Sequence, residues 1–194
     1  MRPELFSAEQ MTEHGKALAD SHRLSTGRAL NSLLRRLADN ERVLLGVYGL
    51  LSEAAKTGRR MAPAGEWLLD NFYLIEEQIR TAKRHLPKRY SQELPRLLDG
   101  PAAGLPRAYD IASQIISHGD GRLDIDGLSS FVTSYQTVTI LTLGELWAIP
   151  TMLRLALIEN LCRLPCQSRR AGDSRLKRGV TSWVLPTIRP RLGW

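Results

Sequence analysis

The sequence predicts an all-α fold, an irregular bundle of about six helices with a proline-rich connection and a non-helical basic tail. Three observations carry that prediction. Every strong hydrophobic periodicity in the 194 residues is helical, two helix starts carry capping boxes, and no βαβ alternation or run of strand-like segments appears. At this length, with 43% hydrophobic residues, the chain suffices for one well-buried domain and is short for two.

The first helix starts after Ser7, with Gln10 three residues on to complete a capping box and Phe6 and Met11 at the staple positions. It runs to about Arg23, where "STGR" breaks it. The second spans about Ala29 to Lys56. Leu30, Leu37, Leu44 and Leu51 recur every seven residues, with Leu33, Leu34, Val47, Tyr48 and Ala54 beside them. Such a seam suits either a dimerising coiled coil or a helix packed within its own bundle. Asn40 and Glu41 interrupt the second apolar row, which favours the bundle. Gly46 and Gly49 weaken a free-standing coil while permitting close helix contact.

A third helix begins at Pro63, well placed as a first helical residue, and continues to about Leu86, ahead of Pro87. Leu68, Phe72, Ile75 and Ile79 form its inward face, widened by Trp67 and Leu74. From Pro87 to Pro106, four prolines and two glycines exclude a long helix. Tyr90, Leu94, Leu97 and Leu98 suggest a short helical turn pinned to the bundle. Pro106 then opens a helix with Tyr109, Ala112 and Ile116 inward, ending near His118. Gly127 to Tyr135 reads as a short helix burying Leu128, Phe131 and Val132. The last helix opens with a second capping box, Thr142 with Glu145, and should kink at Pro150. Being apolar almost all round, it should be central. Glu145, Arg154 and Glu159 inside its most apolar stretch argue against a membrane span, and "MRPELFSAEQ" lacks the apolar core of a signal peptide.

The formal charge of +7 invites a polyanionic partner, but its distribution does not. Residues 1–166 hold 20 basic against 19 acidic side chains, whereas residues 167–194 hold 7 against 1. The body is nearly neutral, so any nucleic-acid reading rests on the tail.

No catalytic, cofactor or metal residues emerge. "HGDGRLDIDGLSSF" sets three aspartates and three glycines between two helices. As a calcium loop starting at Asp120 or at Asp124, it lacks the turn glycine and the bidentate glutamate. Asp124 and Asp126 form the D-x-D of a nucleotide-sugar transferase, but without the buried strand that such a motif ends. The plainer reading has Gly119 and Gly121 ending one helix while Asp124 or Asp126 caps the next. Glu76 and Glu77, adjacent on a helix, point about 100° apart and do not converge on a substrate. Cys162 and Cys166 are at most half of a zinc site, with no histidine near them in sequence.

Several blocks resemble one family. "FSAEQMTEHGKALADSH", "LADNERVL", "AGEWLLDNFYLIEEQIR", "YSQELPRLL", "AYDIASQIISHGDGRLD" and "FVTSYQTVTILTLGELWAIPTMLRLALIENLCRL" look like the N-terminal region of bacterial cyclic β-1,2-glucan synthases, in order over residues 5–164. The resemblance implies a helical region of a very large inner-membrane glycosyltransferase that builds cyclic β-1,2-glucan, an osmoregulatory polymer, from UDP-glucose. UDP-glucose and a divalent metal are expected only for the intact enzyme, because none of the transferase's motifs matches a position here. The implied partners are the remaining domains of the synthase. Weak self-association through the leucine seam is a further expectation; nucleic acid and a direct membrane span are not expected. The implied location is cytoplasmic, or the cytoplasmic side of the inner membrane. After Leu164 the helical period is lost and basic charge, three prolines and two tryptophans appear. Residues 165–194 are therefore expected to be a disordered tail, read in a shifted frame after truncation, with a true lipid- or nucleic-acid-binding tail as the rival.

Overall fold

The structure, a computed structural model, describes residues 6–25, 32–86, 93–118 and 125–168. Among these, seven helices account for most of the chain: α1 (Ala8–Ser21), α2 (Ser32–Lys56), α3 (Pro63–Asp70), α4 (Phe72–His85), α5 (Arg107–His118), α6 (Ile125–Gln136) and α7 (Leu143–Ser168). The all-α expectation holds, with one small exception. The two-residue strands β1 (Leu24–Ser25) and β2 (Arg96–Leu97) pair antiparallel, Leu24 opposite Leu97.

The near-continuous apolar sequence of α7 makes it the axis of the bundle. It packs most extensively against α5 and also against α2 and α4, while α1 lies on α6 and touches α5. Ala148, Met152, Leu155, Ala156 and Ile158 of α7 join Leu33, Leu37, Leu44, Ile75, Ile79, Ile111, Ala112 and Ile115 in one apolar core. Arg36 bonds Glu159 and the Cys162 thiol donates to the Asn40 carbonyl, so α2 and α7 run parallel.

Both capping boxes form. The Ser7 N–H donates to Gln10 Oε1 at 2.8 Å and Gln10 N–H to Ser7 Oγ at 3.2 Å. At the other, Thr142 N–H donates to Glu145 Oε2 at 2.9 Å and Glu145 N–H to Thr142 Oγ1 at 3.3 Å. The chain passes Pro150 without leaving the helix.

Two segments depart from expectation. The single helix expected from Pro63 to Leu86 divides at Asn71 (φ −113°, ψ 12°), whose side-chain amide and backbone N–H both donate to the Trp67 carbonyl. An asparagine that supplies its own bond to the preceding turn competes with helix continuation. In the proline-rich connection, Leu94 and Leu97 are buried as expected, but Leu97 belongs to β2 and Leu98 is exposed. Gly100 and Gly104 take positive φ (81° and 78°), which lets the chain turn back so that Gly104 N–H reaches the Leu97 carbonyl at 2.8 Å. Tyr90 lies outside the described residues.

Helix α6 starts at Ile125, two residues before the expected Gly127, and buries Phe131, with Leu128 and Val132 partly buried against the core. Helix α7 reaches Ser168, four residues past the boundary expected at Leu164. The remaining tail, 169–194, lies outside the described residues.

Candidate functional site

The residues that sequence logic weighs as chemistry do not converge. Asp126 is exposed in the first turn of α6, while Asp120, Asp124, Gly119 and Gly121 lie outside the described residues. The expected aspartate cap therefore falls largely there too. Glu76 and Glu77 are exposed on α4. Cys162 hydrogen-bonds Asn40, and burial together with the nearby Glu159 charge pushes its thiol up to about 12. Among the described residues, no group of three or more His, Cys, Asp and Glu side chains is placed to hold a metal ion. The seam leucines Leu37 and Leu44 are each 1% exposed in the chain's own core, which places that part of the seam inside the bundle.

What the fold does bring together is a set of buried polar links between helices. At the start of α5, the Arg107 guanidinium donates to Glu145 through Nε at 2.7 Å and Nη2 at 2.6 Å. The pair is 2% and 0% exposed respectively. Arg107 also donates to the Ile140 carbonyl, and its guanidinium lies 5.9 Å from the centre of the Tyr135 ring. Burial works against the Arg107 charge, but the hydrogen bonds and charge of Glu145 outweigh it and its pKa is raised. Glu145 thus closes the N-terminal cap of α7 and anchors α5 at once.

A second link joins α2, α5 and α7. Arg36 donates to Glu159 at 2.6 Å, and the Tyr109 hydroxyl donates to the same carboxylate. Burial, and then Glu159, raise the pKa of Tyr109, which keeps it a neutral donor.

The third link lies where α1 meets α5 and α6. At the C-terminal cap of α1, His22 Nε2–H donates to Asp110 Oδ2 at 3.0 Å, and the Tyr135 hydroxyl donates to Nδ1 at 2.8 Å. Burial above all holds Tyr135 up at about 12, so it too donates while neutral. Two turns earlier, His14 Nε2 donates to Gln114 Oε1 at 3.2 Å. Its ring meets His118 edge-on at 4.9 Å and Phe6 at 5.2 Å, while Phe6 stacks on His118 at 4.2 Å. The Asp–His–Tyr order resembles a hydroxyl activated by a base, but Tyr135 is fully buried and offers no oxygen to a substrate. These groups position helices. The sequence marks Glu145 as the capping-box partner of Thr142 and marks both Glu145 and Glu159 as charges in an apolar run, the available signal that each needs a buried partner. Arg107, His22 and Asp110 gave no local signal.

Among the described residues, two apolar surfaces are exposed. On α2, Val43, Leu45 and Leu50 are exposed, and a Cβ at Gly46 or Gly49 would meet nothing within 4 Å, so the close helix contact expected there is not made among the described residues. At the entry to α7, Ile140, Leu143 and Trp147 are 80%, 66% and 75% exposed. No described helix is long and apolar enough to cross a membrane.

No family model matches the chain. Over 178 residues, 91% of its length, it is 31% identical to cyclic beta-(1,2)-glucan synthase NdvB of Rhizobium meliloti (strain 1021). The chain spans 6% of the length of that protein. It is thus similar, along nearly all of its sequence, to one short region of a cyclic glucan synthase. With about a tenth of the chain outside the match, the similarity extends past Leu164, where the resemblance was expected to stop.

Proposed function

We propose that this chain is a non-catalytic helical region of a cyclic β-1,2-glucan synthase, a scaffold against which the catalytic parts of the enzyme are held. The observation that carries the reading is the asymmetry of the similarity, 91% of this chain against 6% of the glucan synthase. The buried polar links fit a scaffolding role, since each orients helices and none offers an accessible reactive group. In this reading UDP-glucose and any divalent metal belong to the catalytic parts, the partners are those other domains, and the region faces the cytoplasm.

A chimera tests it. Replacing the matching region of the Rhizobium meliloti synthase with this chain should retain cyclic glucan synthesis, measured as radiolabelled product from UDP-glucose in membranes. An unrelated helical bundle of equal length in the same position should abolish it. The purified chain alone should not turn over UDP-glucose; turnover lost in Asp126→Asn would sink the scaffold reading in favour of a transferase.

A further inference from the structure

Three of the four histidines in the chain, His14, His22 and His118, meet in the seam that holds α1 against α5 and α6, the fourth, His85, being exposed at the end of α4. His14 and His118 lie toward the N-terminal half of α1, and His22 lies at its C-terminal cap. Toward the N-terminus, His14 and His118 face each other with ring centres 4.9 Å apart. The Phe6 ring stacks on His118, and Phe6 N–H donates to the His118 carbonyl at 3.1 Å, so the segment entering α1 is held by the same residue. Among the described residues, the titratable groups toward His14 from α5 are His118 and Asp110. From α6 it meets the Phe131 ring, and Tyr135 of that helix is engaged by His22. At the C-terminal end, His22 Nε2 points at the Asp110 carboxylate, with Tyr135 on its other nitrogen and Arg107 beyond the Tyr135 ring.

We infer that the His14–His118 pair is an acid-released latch on the N-terminal half of α1, while the His22–Asp110 pair keeps the C-terminal end anchored. Histidine is the side chain that gains charge between about pH 8 and 5. Two imidazolium rings at the His14–His118 separation repel in a partly buried site. His22 faces the Asp110 carboxylate rather than a second imidazole, so no such like-charge pair exists at that end among the described residues. Burial lowers the pKa of His14, opposed by the Gln114 hydrogen bond, helped by His118 and opposed by Asp110. A lowered folded-state pKa means that the unfolded chain binds the proton more tightly. The contribution of His14 is therefore complete above about pH 6.5 and declines as pH falls below it. The close approach of Gly15 to Ser134 and Phe131 sits between the two ends and is the natural pivot.

Backbone amide hydrogen exchange on the full chain at pH 7.5 and 5.5, each referenced to its intrinsic rate, tests this. Protection of the amides of Met11–Gly15 should fall by more than about threefold on acidification. Protection of the amides of Ala19–Ser21 should change less than about threefold, and the double variant His14→Gln/His118→Gln should lose the difference between the two ends. Uniform loss along α1, or the same acid response in the double variant, overturns the latch. An independent readout uses the milder His118→Gln alone: the His14 ring should then titrate at higher pH by NMR, and an unchanged midpoint overturns the coupling.

Discussion

Removing the Glu145 carboxylate should be among the most damaging single changes available to this bundle. Glu145→Ala deletes both Glu145 acceptors of Arg107 and both side-chain contacts to Thr142, leaving a guanidinium 2% exposed with only neutral acceptors, the Ile140 carbonyl and the Tyr135 hydroxyl, among the described residues. Stranding one member of a buried ion pair costs about 3–5 kcal/mol. Losing the capping-box contact adds roughly 0.5–2 kcal/mol. Set against the ~5–15 kcal/mol by which domains are stable, that is a large fraction of the whole. Urea unfolding followed by circular dichroism at 222 nm reads it as a fall in midpoint at constant slope. The double variant Arg107→Met/Glu145→Met is the sharper measurement. Replacing both charges with apolar side chains of similar volume removes the stranded charge, so the double should be more stable than Glu145→Ala alone by about 2 kcal/mol or more, the cap loss remaining. A Glu145→Ala effect below about 1 kcal/mol, or a double variant as damaged as the single, would refute the account of Glu145 as simultaneous cap and anchor.

Leu44→Ala should cost about 2–5 kcal/mol without changing the sedimentation coefficient, because Leu44 faces this chain's own core; a shift in oligomeric state would revive the dimer seam. Gly15→Ala places a Cβ 2.3 Å from Ser134 Oγ and 3.1 Å from the Phe131 carbonyl oxygen, so it should destabilise by about 1–3 kcal/mol, with partial rescue by Ser134→Gly and none if the contact is unimportant. Cys162, whose thiol is held up at about 12, should react with maleimide at pH 8 at least about tenfold more slowly in the folded chain than in urea, scored by peptide mass spectrometry. The acid response of α1 described above is the remaining prediction, with its loss of protection below about pH 6.5.

Sequence and fold agree most closely where a local rule suffices. Ser7 with Gln10 and Thr142 with Glu145 each satisfy free N–H groups within one turn, so the helix starts could be read from spacing alone. The apolar faces of α2, α4 and α5 follow the helical period, and Leu37, Ile75, Ile79, Ala112 and Ile116 are buried as that period requires. The split at Asn71 was missed because the apolar period runs straight through it while the side chain redirects one hydrogen bond. The strand in the proline-rich connection was missed for a different reason. Its pairing partner, Leu24–Ser25, is some seventy residues away, and neither stretch carries a strand pattern of its own.

The sequence by itself determined the class of the fold, its two capped helix starts, the centrality of the last helix and the similarity to one region of a glucan synthase, because each follows from local periodicity, capping or residue order. Only the tertiary structure decided which charges are partners. Arg107 lies 38 residues from Glu145, Arg36 lies 123 from Glu159, and His22 lies 88 from Asp110. No local pattern encodes such pairs, since they form only when packing against α7 and α6 removes the water that would otherwise solvate each charge separately. Burial turns those residues from soluble side chains into the fixed joints of the bundle.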